Sequence, residues 1–260
     1  MWEKELQEAI NAGLLAKKKI MEIYNQGFDV EIKSDNSPVT IADKSADEII
    51  RNYLHEKFPT HAFLTEESTD NLDRLNNDFV WIVDPVDGTK DFVAKDGQFT
   101  TNIALAYKHK LVVGVVIAPA IDEMYYASLG NGSFFVKNGE KPVKIHVNDK
   151  INDLTMLISV FHFTEEEQAL IDRHSDRIKH VMKKGSSLKP CAIAHGLAEL
   201  TFRSSSNTKE WDTAACQIVV TEAGGYFVKP NGEEILYNRE DVYNRGGYIV
   251  ANRKENLFKF

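Results

Sequence analysis

Trp81-Ile82-Val83-Asp84-Pro85-Val86-Asp87-Gly88-Thr89 (residues 81–89) is the stretch on which the reading of this chain turns. A run of large apolar residues has the look of a buried strand, and it ends in a carboxylate. Pro85 fixes a turn, a second carboxylate follows at Asp87, Gly88 permits close backbone approach, and Thr89 adds a hydroxyl. Such a strand end can hold two carboxylates on one concave face, where hard cations such as Mg²⁺ find oxygen ligands and the loop N–H groups face an anion. Taken by itself, the nonapeptide can also be read as an Asx-rich surface turn after a buried strand.

Around this stretch the hydrophobic period changes along the chain. Leu6, Ile10, Leu14, Met21 and Tyr24 recur at helical spacing and predict a long amphipathic helix ending near Gly27. A second helix is expected from about Ile41 to Lys57, with Pro59 beyond its end. Ala62–Thr65 and Phe79–Val83 read as short strands. Asn102–Tyr107 and Leu111–Ile117 read as a hairpin, and Glu123–Ala127 and Ser133–Val136 flank the turn Gly130-Asn131-Gly132. In the second half, Leu154–Val160 is an expected strand, and Thr164 caps a helix expected to run to about Lys183. Cys191–Glu199 is expected as a short helix and Leu200–Arg203 as a strand. Asp212–Ala223 is expected as a helix stopped by Gly224-Gly225, followed by closing strands at Tyr226–Val228 and Tyr248–Val250. The expectation is an α/β (α+β) protein in two packed halves, 1–150 and 151–260, with a soft boundary near 145–153.

Three further segments carry acids. Glu66-Glu67-Ser68 follows the strand Ala62–Thr65, and alone it reads as solvated surface charge. In Glu210-Trp211-Asp212, Asp212 opens a helix, where aspartate is also a favoured cap. In Ser37-Pro38-Val39-Thr40-Ile41-Ala42-Asp43, Thr40 and Asp43 fit a capping box. Each structural reading is adequate singly. Together, the clusters beside turns suggest carboxylates brought into one place, where their repulsion is relieved by a divalent cation. The candidate ligands are all oxygen, which points to Mg²⁺ or Mn²⁺.

The bulk composition agrees with that picture. The 260 residues suit one large domain or two packed halves, and the 31 basic against 39 acidic residues leave a net charge of −8. So acidic a chain disfavours long nucleic acid as a partner but not a small anionic substrate held through bound cations. The two cysteines, Cys191 and Cys216, form no CxxC pair and read as buried thiols. The charged, amphipathic N-terminus is unlike a signal peptide, and no apolar run approaches a membrane span, so a cytoplasmic protein is expected.

DPVDGT at 84–89, EES at 66–68, VTIAD at 39–43 and EWDTAA at 210–215 resemble the inositol monophosphatase superfamily in order and spacing. The resemblance covers nearly the whole chain. It implies a layered α-β-α-β-α sandwich of the inositol monophosphatase and fructose-bisphosphatase type, and a metal-dependent phosphomonoesterase using two or three Mg²⁺ ions. By resemblance, Glu66, Asp84, the Val86 carbonyl, Asp87 and Asp212 would hold metal, with Glu66 also serving a weaker third ion. Thr89 and Asp43 would orient and deprotonate the attacking water, and the backbone of Gly88 and Thr89 would hold the phosphate. Thr65 stands where many relatives have glycine.

GQFTTNIAL at 97–105, GSSLK at 185–189 and EWDTAA look most like the bacterial 3'(2'),5'-bisphosphate nucleotidases of the CysQ type. That likeness implies adenosine 3',5'-bisphosphate as substrate, with Ser186, Lys189 and Arg203 on the nucleotide and its 5'-phosphate. His162 sits where relatives carry SRSH, although the arginine is absent and Phe161 stands in its place. An inositol monophosphatase or broad sugar-phosphate phosphatase is the alternative, and an inactive ligand-binding relative a distant one. Relatives often form dimers, so a homodimer is compatible with the resemblance.

Overall fold

The structure, a computed structural model, describes residues 1–32 and 38–258. Ser37, at the head of the VTIAD segment, lies outside them. Along the chain come α1 (Glu3–Gln26), β1 (Val30–Ile32), β2 (Pro38–Thr40), α2 (Ile41–Lys57), β3 (Ala62–Thr65), β4 (Phe79–Asp87) and α3 (Thr89–Ala94). There follow β5 (Thr100–Tyr107), β6 (Lys110–Ala118), β7 (Glu123–Ser128), β8 (Gly132–Lys137), β9 (Val143–Ile145), β10 (Leu154–Ile158), α4 (Glu165–Arg173) and β11 (Ile178–Lys183). The chain closes with α5 (Leu188–Ala194), β12 (Leu200–Arg203), α6 (Glu210–Glu222), β13 (Tyr226–Val228) and β14 (Tyr248–Ala251).

Two sheets organise these elements. One has seven strands in the order β3-β4-β5-β6-β7-β8-β9, and the other five, in the order β11-β10-β12-β14-β13. Alternation along β4 sorts its side chains between two cores. Trp81 and Val83 pack with Ala12, Ile20, Ile50 and Leu54 of α1 and α2 on the outer face. Val80 and Ile82 face the other way, into a core shared with Ala215, Ile218 and Val219 of α6, Ile193 of α5, and Val250 of the second sheet. A third core, Leu154, Met156, Ile158, Leu200 and Phe202 with Leu170 of α4, covers the far face of the five-stranded sheet. The layers therefore run helix, sheet, helix, sheet, helix, as the sequence resemblance implied.

Several expectations need correction. The helix expected to continue to Lys183 stops at Arg173, and Ile178–Lys183 is instead an edge strand parallel to β10. His174-Ser175-Asp176 is a turn-forming run, and pairing with β10 gives this β-branched segment backbone partners that outweigh helical propensity. The helix expected at Cys191–Glu199 starts earlier, at Leu188, and ends at Ala194, ahead of Gly196 at φ +74°. The strand expected to Val160 ends at Ile158. The hairpins expected between Asn102 and Val136 belong to a run of antiparallel neighbours, whereas β3 runs parallel to β4. β4 itself continues past Val83 to Asp87, with a register irregularity between Asp84 and Asp87 against β5. That irregularity turns both carboxylates toward the same end of the sheet.

The central contact is the seating of α6 on β6 at Gly114. A Cβ there would lie 2.3 Å from Ile218 Cγ2 and 2.5 Å from the Ala215 carbonyl oxygen, so no side chain fits without displacing the helix. Gly114→Ala is expected to cost about 1–3 kcal/mol through overpacking. Thermal unfolding should show this as a fall of roughly 3–10 °C in Tm.

Candidate active site

Each functional side chain is placed by local chain chemistry. At the start of α2, Thr40 and Asp43 form the expected capping box: Ala42 N–H donates to Thr40 Oγ1 (3.1 Å) and Thr40 N–H to Asp43 Oδ2 (2.8 Å). Thr40 Oγ1 adds a third bond to the same oxygen, at 2.7 Å. The cap occupies only Oδ2, and Oδ1 lies 3.3 Å from Thr89 Oγ1. The structural and the catalytic reading of Asp43 thus fall on its two different oxygens. Thr89 Oγ1 is also 3.3 Å from the Val86 carbonyl, and Gly88 turns the chain with φ +87°.

Glu66 reaches the site through the sheet. Thr65 pairs with Val83 in the parallel ladder, and Glu66 N–H donates to the Val83 carbonyl at 3.2 Å. That places the EES segment beside the end of β4. Thr65, the departure from glycine, is accommodated as a buried strand residue. In EWDTAA the two acids separate in role. Glu210 is fully buried and accepts from the N–H groups of Asn238 (2.7 Å) and Arg239 (2.8 Å), and from the Arg239 guanidinium (3.0 Å). Asp212 Oδ2 caps α6 through Lys209 N–H (2.5 Å).

Asp84, Asp87 and Asp212 converge, with one carboxylate oxygen of each within 4.8 Å of the others. Asp84 Oδ1 accepts Val86 N–H at 3.1 Å. Asp87 Oδ2 is held by Ser187 N–H and Ser187 Oγ, both at 2.8 Å, with Thr100 Oγ1 at 3.2 Å and Asn102 Nδ2 at 3.3 Å. Ser187, Thr100 and Asn102 were not singled out in the sequence, although all three lie in segments that carry the resemblance. Nothing marks a serine as a carboxylate anchor until the fold brings it to Asp87.

Burial and mutual repulsion raise the proton affinity of this cluster. Asp84 is held well above the usual carboxylate range by desolvation, then by Glu66, Asp87 and Asp212. Asp212 is pushed up to about 8 by desolvation and by the charges of Asp87 and Glu66. Desolvation raises Asp43 too, against the Thr40 hydrogen bonds. Carboxylates so arranged suit a hard divalent cation, which removes the repulsion and takes the oxygens as ligands.

Glu66, Asp87, Gly88, Thr89, His162, Ser186, Lys189, Arg203 and Asp212 line one cleft of ≈ 550 Å³. Asp43, Asp84 and Val86 are buried. The sequence-predicted residues are therefore brought together at the ends of β3, β4 and β12 and the starts of α2, α3, α5 and α6. Ser186, in the left-handed region at φ +40°, donates to the Gln98 carbonyl at 2.7 Å. Lys189 is not the plain surface lysine its turn would allow, since its Nζ donates to the Ser186 carbonyl at 2.9 Å and the Lys184 carbonyl at 3.3 Å. Arg203 faces Glu167 at 3.4 Å and donates to the His162 carbonyl. His162 stands exposed on the rim, yet desolvation against the cleft wall, with Lys90, Arg203 and Lys189 nearby, pushes it down to about 4.

The model of the inositol monophosphatase family matches residues 1–259 of this chain. The chain belongs to the inositol monophosphatase family. The 3'(2'),5'-bisphosphate nucleotidase CysQ of Buchnera aphidicola subsp. Acyrthosiphon pisum is 36% identical over 259 residues, covering 96% of this chain and 95% of the relative. Inositol monophosphatase 2 of Solanum lycopersicum is 33% identical over 244 residues, covering 88% of this chain and 90% of the relative. The crystal structure of CysQ from Bacteroides thetaiotaomicron, a bacterial member of the family, matches with a TM-score of 0.83 at 32% identity, covering 97% of this chain and 99% of that one. This inositol monophosphatase family member is accordingly a phosphatase, and it carries an acidic cluster able to bind a metal. Among its described residues, no helix is long and apolar enough to cross a membrane.

The raised carboxylates give a pH signature. In the unfolded chain Asp212 releases its proton near 3.8, whereas in the fold it keeps it to about 8. Below the lower value both states are protonated and the group imposes no penalty. Between the two, folding must take up a proton, so stability falls as pH rises until the folded group ionises. Metal-free protein should therefore lose Tm from about pH 4 to pH 8, and Asp212→Asn should flatten that slope. A second measurement concerns Asp84→Asn, expected to stay folded by circular dichroism while losing roughly a hundredfold or more of its phosphatase turnover.

Proposed function

We propose that the chain hydrolyses the 3'-phosphate of adenosine 3',5'-bisphosphate, giving AMP and phosphate, with Mg²⁺ held by Glu66, Asp84, the Val86 carbonyl, Asp87 and Asp212. The observation that carries this reading is the juxtaposition of three mutually repelling carboxylates, one buried and two half-buried, with a cleft wall bearing Lys90, Lys189, Arg203 and Lys209. An acidic floor asks for cations, and a basic wall asks for a substrate with more negative charge than one ester phosphate brings. The bisphosphate nucleotidase relatives, with their near-complete coverage, support the same substrate class.

When bound, magnesium would supply charge neutralisation for the phosphate and acidify a water near neutral pH. The remaining tasks belong to the chain. Thr89 Oγ1, by donating to Asp43 Oδ1, keeps its lone pairs free to accept a proton from an attacking water in the cleft and so would orient that water. Asp43, locked at its other oxygen by Thr40, is the sink for the proton that Thr89 passes on. Gly88, lacking a side chain, lets the phosphate approach the backbone of residues 88 and 89. Ser187, Thr100 and Asn102 keep Asp87 from swinging away, and Lys209 N–H does the same for Asp212. Such positioning is the main protein contribution to phosphoryl transfer.

A second reading, an inositol monophosphatase, is favoured by the similarity to the tomato enzyme named above. It uses the same floor and differs only at the rim. The two are separated by assaying adenosine 3',5'-bisphosphate and inositol 1-phosphate side by side. The nucleotidase reading expects kcat/KM at least about tenfold higher for the nucleotide, a difference of ~1.4 kcal/mol in transition-state binding. Equal values, or a preference for inositol 1-phosphate, would reject it.

A further inference from the structure

The basic side chains facing the cleft are not equally available. Lys189 spends its ammonium on two backbone carbonyls, and Arg203 is turned toward Glu167 and the His162 carbonyl. Lys90 sits exposed in the first turn of α3. Lys209 differs from all of these. It lies half-buried three residues before Asp212, where its backbone forms an isolated bridge with Tyr243. Its Nζ is 5.1 Å from the centre of the Trp211 ring and 5.5 Å from that of Tyr243. Among the described residues no ion pair holds it, although the acidic floor is close enough for Lys209 to draw down the proton affinity of Asp212.

Aromatic faces attract an ammonium through the ring quadrupole, yet they do not neutralise it as a carboxylate would. Lys209 is thus ordered before any ligand arrives and still carries its whole charge and its donors into the cleft. Ordering a long side chain in advance removes a cost that a flexible surface lysine meets on binding. A compact, multi-donor ammonium suits an anionic oxygen cluster such as a phosphate. The sequence resemblance put Ser186, Lys189 and Arg203 on the nucleotide and its 5'-phosphate. All three of those side chains bond the protein here, while the side chain of Lys209, which no motif marks, has neither a hydrogen bond nor an ion pair to hold it among the described residues.

We propose that Lys209, clamped between Trp211 and Tyr243, binds the substrate's second, non-reacting phosphate and so selects bisphosphates over monophosphates. This inference rests on the nucleotidase reading above. The test compares kcat/KM for adenosine 3',5'-bisphosphate with that for adenosine 3'-phosphate at saturating Mg²⁺. In Lys209→Met the ratio of the two should fall about tenfold or more, through KM for the bisphosphate. Lys209→Arg, which keeps the charge and the aromatic clamp, should hold the ratio within about threefold of wild type. Parallel losses on both substrates, with a changed Mg²⁺ requirement, would mean that Lys209 merely tunes Asp212, and would overturn the proposal. So would an unchanged ratio. If Lys209→Met does not fold, Lys209→Gln is read in the same way. In wild-type protein, KM for the bisphosphate must also rise more steeply with added KCl than KM for the monophosphate, and parallel slopes would count against Lys209. A wild type that fails to turn over the bisphosphate rejects the nucleotidase reading itself. A wild type that prefers it, with a ratio indifferent to Lys209, rejects this inference alone.

Discussion

Burying carboxylates beside one another is costly, and most of what surrounds Asp84, Asp87 and Asp212 is explained by that cost. Asp87 receives four donors on a single oxygen, Asp212 takes the N–H of Lys209 just ahead of α6, and Asp84 is turned by its own loop through Val86 N–H. These bonds fix the acids without neutralising them. The residual charge is what a divalent cation would complete, so the geometry is more a preformed cage than a self-sufficient network. The layered fold serves this arrangement, because only a helix wedged between two sheets can bring Asp212 against the end of a strand from the first sheet.

Much of this was legible in the sequence because the informative residues obey local rules. The strand-to-turn stretch 81–89, the capping box at Thr40 and Asp43, and the helix near Asp212, which starts two residues earlier than expected at Glu210, are each decided by a few neighbours. The hairpins between Asn102 and Val136 follow from alternation and glycine turns for the same reason. What stayed hidden depends on distant partners. Ile178–Lys183 looks helical until β10 offers a parallel edge, and Ser187 looks like a loop serine until Asp87 arrives from a hundred residues upstream. Lys209 is invisible as a cleft residue without Tyr243, which the chain supplies only after another sheet strand.

The acids that matter carry two duties. Asp43 gives one oxygen to a helix cap and the other to Thr89, and Asp212 likewise caps the helix that delivers it to the cluster. In both cases the bond that would justify the residue on structural grounds alone also aims it at the cleft. A cap of this kind fixes the carboxylate's rotamer, so one bond both opens the helix and sets where the other oxygen points.

Because Asp212 rides on α6, and α6 is seated against β6 at the bare backbone of Gly114, the three-carboxylate cluster is complete only when the late-synthesised helix has closed over the first sheet. An emerging chain that has made β4 possesses Asp84 and Asp87 but lacks the third wall.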